Sequence, residues 1–261
     1  MPRLLAEFDD ILPGQIAADA TTLYFLATDG TSPRGALYSL PKAGGMAVKL
    51  ASEIEFPFAI AIDDAYIYWI DVGTFTGSAI RPNGKVERVK KNGESRQTLA
   101  SGLSTPFAIA LDSTDVYFGE VGLALGNPSA GLRKVSKSGG TVTKMTDGRA
   151  VVSIDIAGTE AFYSSAVGAE ASDPQISRIA ASGGTSTLVY RDLFVLNLDV
   201  DGETILIMGP ESDESDYLAS IPKSGGQTRI LRRGVLDSYT FAFDACAVYY
   251  GLDAALERFP R

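Results

Sequence analysis

The sequence predicts an all-β fold, a six-bladed β-propeller of four-stranded antiparallel blades, because it contains a repeat with two independent anchors. The first anchor is a mostly acidic position that ends the first strand of each unit. It recurs every 43 to 49 residues, at Asp19, Asp63, Asp112, Ala157, Asp201 and Asp244. The second anchor is a turn glycine, at Gly44, Gly93, Gly139, Gly183 and Gly225. Two anchors in phase at this period are typical of propeller blades.

Each unit divides into four short extended segments, which we term strands a to d. The clearest pair of units contains PFAIAIDDAYIYWIDVG (57–73) and PFAIALDSTDVYFGEVG (106–122), in which strands a and b are joined by acidic turns. Strands c and d are joined by Gly-rich turns of the KxGG type. Both connections suit tight hairpins, and no segment has sustained helical periodicity.

The repeat predicts a single domain over residues 1–261 with a shared last blade. The predicted blades are approximately 13–56, 57–105, 106–151, 152–194, 195–237, and 238–261 together with 1–12. The last unit has only three strands of its own, and residues 2–8, PRLLAEF, are similar to strand d elsewhere. We expect the N-terminal strand to complete the C-terminal blade, which removes an open sheet edge.

The motif Tyr68-Trp69-Ile70-Asp71 resembles the YWTD propeller repeat, with Ile in place of Thr. The fuller pattern is similar to six-bladed repeats of the YWTD, NHL and TolB-like type in bacterial secreted or lipid-anchored proteins of unassigned function. That resemblance implies an extracellular or periplasmic location, although the N-terminus MPRLLAEFDD lacks the apolar stretch of a signal peptide. Blade 5 departs most, with Leu206-Ile207-Met208-Gly209 at these positions.

Composition excludes several functions. A net charge of −9 opposes binding to nucleic acid or to an anionic membrane surface, and the apolar runs are too short to span a bilayer. The sequence has no histidine, so it excludes triads and catalysis by a His base, and it disfavours an enzyme. The single cysteine, Cys246, cannot form an internal disulfide. We expect a monomer.

Candidate ligand-binding residues lie where propellers usually place their sites, near the mouth of the central channel. A mostly apolar position near the start of strand a reads Gly14, Phe58, Phe107, Val152, Leu196 and Tyr239. It predicts either packing between blades or the wall of an apolar pocket. Asp71 and Glu120, which end the b strands of blades 2 and 3, and Asn197, on strand a of blade 5, complete the predicted ligand-binding set with Phe58, Phe107 and Tyr239.

A second set of candidates is polar. Alternate strand a positions supply the arc of Gln15, Ser153, Asp155, Asn197, Asp199 and Thr240, whereas blades 2 and 3 have only alanine there. Asp155 and Asp199 would repel each other on adjacent strands unless a cation, a shared proton or water intervenes. Their oxygen ligands suit Ca²⁺, so both are predicted metal ligands. A wet channel with solvated acids and a proton-sharing pair are the alternatives.

These features favour a non-catalytic scaffold that binds a protein, peptide or glycan through its loop-rich face. The alternative is a small-molecule-binding protein, or a calcium-dependent hydrolase or lyase, that acts at the channel mouth. The b–c loops vary most, at residues 71–84, at 120–131 with Leu123 and Leu125, and at the acidic 209–216. Variable loops on a rigid repeat scaffold are common sites of recognition.

Overall fold

The computed structural model contains only β-strands among the residues that it describes. These residues are 12–30, 32–76, 79–80, 82–122, 129–167, 172–212, 215–234, 236–243, 247–252 and 255–260. In residues 75–80, at 212 and 215, and from 236 onwards, the description is of the backbone. The N-terminal segment that is predicted to complete the last blade therefore lies outside the described residues. No helix long and apolar enough to cross a membrane occurs in the described part of the chain.

The chain divides into two compact units, the first comprising residues 1–123 with 127–147, the second 124–126 with 148–261. Unit 1 contains three four-stranded antiparallel sheets, blades 1 to 3, and a separate two-stranded hairpin. Blade 1 comprises β1 (Leu12–Ala18), β2 (Thr22–Thr28), β3 (Gly35–Pro41) and β4 (Val48–Ile54). Blade 2 comprises β5 (Pro57–Ile62), β6 (Tyr66–Asp71), β9 (Gly84–Lys90) and β10 (Gln97–Leu103), with the hairpin β7 (Phe75–Thr76) and β8 (Ala79–Ile80) between β6 and β9. Blade 3 comprises β11 (Pro106–Leu111), β12 (Asp115–Glu120), β13 (Gly131–Ser136) and β14 (Thr143–Lys144).

Unit 2 contains two four-stranded sheets, blades 4 and 5, and the three-stranded sheet of blade 6. Blade 4 comprises β15 (Ala150–Ala157), β16 (Glu160–Val167), β17 (Ser172–Ala180) and β18 (Thr187–Arg191). Blade 5 comprises β19 (Asn197–Asp201), β20 (Thr204–Ser212), β21 (Ser215–Pro222) and β22 (Arg229–Gly234). Blade 6 comprises β23 (Leu236–Phe243), β24 (Ala247–Leu252) and β25 (Ala255–Pro260). Strands follow one another in the order a, b, c and d, as the repeat predicts.

The core of each unit lies between neighbouring blades. One cluster joins blades 2 and 3 through residues such as Tyr68, Ile70 and Phe118, and another joins blades 4 and 5 through Phe162 and Ile207. Trp69 of the YWTD-like motif is fully buried in the cluster between blades 1 and 2. Apolar residues therefore alternate between two buried faces of each sheet, which explains the β-branched and aromatic composition of strand b.

The turn glycines of the second anchor are confirmed. Each has a φ between 83° and 96°, a region that residues with a side chain rarely adopt. Each donates its N–H to the carbonyl three residues earlier at 2.8 to 2.9 Å. These glycines close the c–d hairpins of blades 1 to 5.

The acidic a–b turns have a common geometry in blades 1 to 3. One carboxylate oxygen of Asp63 accepts N–H bonds from Ala65 (3.0 Å) and Tyr66 (2.8 Å), and the other accepts the Tyr68 hydroxyl (2.9 Å). Equivalent contacts surround Asp19 and Asp112. A carboxylate that satisfies two turn amides favours the tight turn that joins strands a and b.

A lysine from the next blade completes two of these turns. Lys91 Nζ lies 2.9 Å from Asp19 Oδ2, and Lys137 Nζ lies 2.9 Å from Asp63 Oδ2. Although burial alone would raise it, the hydrogen bond from Lys137, with the turn amides, lowers the pKa of Asp63 to about 2. The lysines of the c–d turns therefore join neighbouring blades at the end opposite the b–c loops.

Candidate functional site

The two phenylalanines predicted from the sequence lie in contact. Phe58 on β5 and Phe107 on β11 are half-buried, and their ring centroids are 3.9 Å apart with planes tilted by 35°. Both follow a proline that begins strand a, at the end of the blades where the d–a turns and b–c loops lie. We term Phe58 and Phe107 the aromatic pair. Its rings lie on two neighbouring innermost strands.

Asp71 holds the turn that leads into Phe58. Its carboxylate is fully buried and accepts N–H bonds from Glu55 (3.2 Å), Phe56 (3.1 Å) and Gly73 (2.9 Å). Lys85 Nζ lies 4.0 Å from it. Because its oxygens bind these backbone amides, Asp71 fixes the turn that precedes Phe58. A direct contact between Asp71 and a ligand remains a prediction.

Glu120 holds the equivalent turn of blade 3. One of its oxygens accepts the Ser104 N–H at 2.7 Å, and the other lies 3.2 Å from Arg133 Nε. Glu120 and Arg133 are both buried, and burial raises the pKa of Glu120 against the opposing effects of Ser104 and Arg133. Arg133 also donates to the Ser129 carbonyl at 2.8 Å. Moving the loop away would separate Glu120 from Arg133 and leave a buried charge without a partner, which is strongly destabilising. The buried pair therefore holds the loop in place.

The turn before Phe107 contains an uncommon backbone conformation. Thr105 has a φ of 58°, and its hydroxyl is buried without a partner among the described residues. A β-branched residue at positive φ costs about 1–3 kcal/mol and persists only where its surroundings enforce it. Here Val121 donates its N–H to the Thr105 carbonyl at 3.0 Å, and Pro106 follows. Strain is therefore stored beside the aromatic pair.

The b–c loop of blade 2 lies beside the same turn. A substituent on Gly84 would lie 2.4 Å from Pro106 Cδ, so the end of this loop packs directly against the residue before Phe107. At the base of the loop, Asn83 Oδ1 accepts the Thr74 N–H (3.0 Å) and Asn83 Nδ2 donates to Thr74 Oγ1 (2.8 Å). Between them lies the hairpin β7–β8, in which Phe75 pairs with Ile80 and Thr76 with Ala79. Sequence reasoning treated this segment as a loop, although Thr-Phe-Thr, then Gly-Ser, then Ala-Ile has the strand-turn-strand composition that would have indicated it.

The polar arc has a different arrangement in unit 2. Ser153 Oγ accepts the Leu198 N–H at 2.9 Å, and Asp155 Oδ2 accepts the Val200 N–H at 2.7 Å. The other oxygen of Asp155 accepts the Ile156 N–H at 2.7 Å. Strand β15 therefore binds the open edge of β19 through two side chains, which we term the inner tethers. Sequence reasoning identified both residues but not these partners.

The predicted metal ligands do not assemble a larger ligand group. Asp199 and Asn197 occupy, on β19, the positions that Asp155 and Ser153 occupy on β15; both are half-buried, and Asp199 has an interaction partner. No group of three or more His, Cys, Asp or Glu side chains suited to a metal occurs in the part of the chain that the structure describes. Calcium binding by Asp155 and Asp199 therefore stays a prediction.

The structure describes only some of the remaining predicted residues. The side chain of Tyr239 and residues Leu123 and Leu125 lie outside the described residues. In the acidic loop of blade 5, Glu211 forms two bonds with Arg233, at 2.6 and 2.9 Å, and these lower the pKa of Glu211. That charge is therefore partly neutralised within blade 5.

Comparison with solved structures shows the fold. A nidogen structure from a nidogen/laminin complex matches with a TM-score of 0.63 and 14% identity over 88% of this chain and 84% of that chain. A puromycin-hydrolysing peptidase from Mycobacterium tuberculosis has a TM-score of 0.65 and 13% identity, over 92% and 42%. TolB from Acinetobacter baumannii has a TM-score of 0.61 and 15% identity, over 94% and 65%. The chain thus spans less than two thirds of the peptidase and of TolB.

The fold is therefore a β-propeller of the YWTD/TolB type, as the sequence predicts. No family model matches the sequence, and no curated protein matches it. Since one propeller fold supports many unrelated activities, these similarities define the fold alone.

Proposed function

We propose that this protein is a non-catalytic scaffold that binds a protein or peptide at the aromatic pair and the adjoining loops of blades 2 and 3. The observation that carries the proposal is the contact between Phe58 and Phe107 on turns that Asp71 and Glu120 hold in place. Rings held on a rigid support lose little conformational entropy when they bind, and aromatic residues are enriched at interfaces.

The distribution of charge supports this location. The chain carries 32 acidic and 23 basic residues, yet residues 72–80 of blade 2 and 121–131 of blade 3 contain none. In contrast, residues 209–216 of blade 5 contain four acidic residues. Interface centres are depleted in charged residues, because a charge would have to lose its hydration on binding. The b–c loops of blades 2 and 3 therefore have the composition of an interface.

The nidogen similarity is consistent with this proposal, because that propeller was solved as part of a nidogen/laminin complex. It supplies a precedent for protein binding by a propeller and does not identify the partner of this chain.

A random peptide library displayed on phage provides the test. We expect selection on the wild-type protein to enrich peptides that bind at least tenfold more weakly to Phe58→Ala/Phe107→Ala. The matched control is Val152→Ala/Leu196→Ala, which shortens side chains at the equivalent positions of blades 4 and 5. Melting curves confirm that both double variants are folded at the assay temperature.

The proposal would be wrong if no peptide is enriched, or if the enriched peptides bind the phenylalanine variant as tightly as the wild-type protein. It would also be wrong if the blade 4 and 5 control loses binding to the same extent.

A further inference from the structure

We propose that the free edge of β7 binds an extended, uncharged segment of the partner protein as an added β-strand. This inference rests on the proposed function and names the mode of recognition at the same site. The hairpin β7–β8 forms a two-stranded sheet of its own, and no other strand in the described part of the chain pairs with it. A two-stranded hairpin offers two unpaired edges and is only marginally stable alone.

The register of the hairpin indicates which backbone groups are available. Thr76 pairs with Ala79 across two intervening residues, and Phe75 pairs with Ile80. In a two-residue hairpin the closing pair exchanges both hydrogen bonds, so the next pair directs its N–H and C=O groups outward. The N–H and C=O of Phe75 are thus oriented to pair with an added strand.

The base of the hairpin is fixed, which lowers the entropic cost of binding there. Thr74 and Asn83 join its two ends by two hydrogen bonds, and Val72 donates its N–H to the Phe56 carbonyl at 2.9 Å. Gly73 has a φ of 95°, and a substituent on it would lie 2.2 Å from Asn83 Oδ1. The hairpin is therefore held at the end of the blades that presents the aromatic pair.

The β7 edge lacks the features that usually prevent edge-to-edge pairing. Four outer strands elsewhere carry charges, at Lys49 of β4, Lys144 of β14, Arg191 of β18 and Arg232 of β22, and the uncharged outer strand β10 is interrupted by two register shifts. The β8 side of the hairpin is followed by Arg81 and Pro82, whereas the residues from Val72 to Thr76 include neither a charge nor a proline. Natural sheets protect their edges with these residues, so an unprotected edge is suited to pairing.

Charge distinguishes a foreign segment from a second copy of this chain. Two copies that paired through their hairpins would bring together two proteins of net charge −9 each. A neutral segment of another protein would pair without that repulsion. An uncharged partner also matches the uncharged composition of residues 72–80.

The experiment uses a peptide enriched on the wild-type protein and replaces its amide protons one at a time by N-methyl groups. We expect N-methylation to weaken binding about tenfold or more at every second residue of a short run, since alternate amides of an added strand face β7. On the protein, Phe75→Pro removes the outward N–H, and Phe75→Leu is the matched control that retains it. We expect the proline variant to bind at least tenfold more weakly than the leucine variant, with similar melting curves.

Two outcomes would overturn the inference. In the first, N-methylation lacks a period of two and Phe75→Pro binds like Phe75→Leu, while Phe58→Ala/Phe107→Ala still loses binding; the proposed function then stands and strand addition is wrong. In the second, sedimentation shows that the wild type is a dimer, that the peptide dissociates this dimer and that Phe75→Pro does not dimerise. The β7 edge would then pair with a second copy of this chain. Failure of both the phenylalanine and the Phe75 variants to affect binding would reject the proposed function as well.

Discussion

The junction of blades 2 and 3 and the junction of blades 4 and 5 are stabilised by polar contacts of different kinds. Between blades 2 and 3, Lys137 pairs with Asp63 at the a–b turn, and Gln97 Nε2 donates to the Ser138 carbonyl at 3.2 Å. Between blades 4 and 5 the corresponding acid is absent at Ala157, and Lys223 lies 5.6 Å from the centroid of the Phe162 ring. Polar contacts at this second junction lie instead on the inner strands, where β15 binds β19.

The turn chemistry accounts for the first difference. In blades 1 to 3 an aspartate binds the turn amides, and in blades 1 and 2 its carboxylate also binds a lysine of the next blade. In blades 4 and 5 the turn contains Gly158 or Gly202, with φ of 64° and 57°. Glycine adopts this conformation without a side-chain acceptor, which makes the aspartate dispensable at the blade 4 turn.

The inner strands account for the second difference. Ser153 and Asp155 satisfy two N–H groups on the edge of β19, whereas Ala59 and Ala61 of blade 2 cannot accept hydrogen bonds through their side chains. Blades 2 and 3 instead contact through Phe58 and Phe107 at the start of these strands. One repeat therefore provides a polar inner junction in unit 2 and an apolar, aromatic one in unit 1, where we place the binding site.

The largest effect is expected from Asp63→Ala, which removes the acceptor of four hydrogen bonds at the blade 2 turn. We expect the free energy of unfolding to fall by about 2–4 kcal/mol, because two amides, a tyrosine hydroxyl and an ammonium lose their partner together. Chemical denaturation at neutral pH measures this change. The matched control is Asp64→Ala at the exposed neighbouring position, where we expect a change within about 0.5 kcal/mol.

The pH dependence of this difference gives a second check. The pKa of Asp63 is lowered to about 2 from its ordinary value of 3.8, so the carboxylate stabilises the folded state above the unfolded pKa. That contribution is lost as the pH falls through the folded pKa. The wild type and Asp63→Ala should therefore converge in stability between about pH 4 and pH 2; curves that stay parallel would contradict this account.

The next effect is expected from the inner tethers. In the presence of chelator, Asp155→Ala should lower the free energy of unfolding by about 1–3 kcal/mol and Ser153→Ala by about 1–2 kcal/mol, because each leaves a backbone N–H of β19 without its acceptor. Asp155→Asn retains one of the two acceptor oxygens, which can still bind the Val200 N–H, so this variant is the matched control and should cost less than Asp155→Ala. An alanine variant as stable as wild type would show that the tether contributes nothing.

The same variants test the calcium prediction. If Asp155 and Asp199 bind Ca²⁺, the wild type should melt at higher temperature with calcium than with chelator, and Asp155→Asn and Asp199→Asn should each lose that increase. If the tether is the sole role of Asp155, calcium should leave all melting curves unchanged.

The repeat determined how much could be predicted. Gly44 and its equivalents and the order of strands in each blade followed from local sequence, since a tight turn depends on its own few residues. The pairing of Asp155 with Val200 depends on the lateral offset between two strands 45 residues apart, which no local pattern encodes. Likewise, Asp71 and Glu120 were predicted at the mouth, but their backbone partners depend on how the d–a turn folds over strand b.

The smallest effect is expected from replacing the equivalent c–d turn lysine at each junction, Lys137 or Lys223, which have different partners. Lys137→Met should lower the free energy of unfolding by about 1 kcal/mol, because it removes a partly buried ion pair but keeps an apolar side chain. Lys223→Met should cost less than about 0.5 kcal/mol, since only a cation–π contact with Phe162 is lost and the side chain still packs on the ring. High salt should weaken the effect of Lys137→Met and leave that of Lys223→Met nearly unchanged. NMR titration should show the pKa of Asp63 rising from about 2 toward 3.8 in Lys137→Met. If the two variants lose equal free energies of unfolding and the pKa of Asp63 is unchanged, the contacts at the a–b turn do not make the two junctions differ in energy.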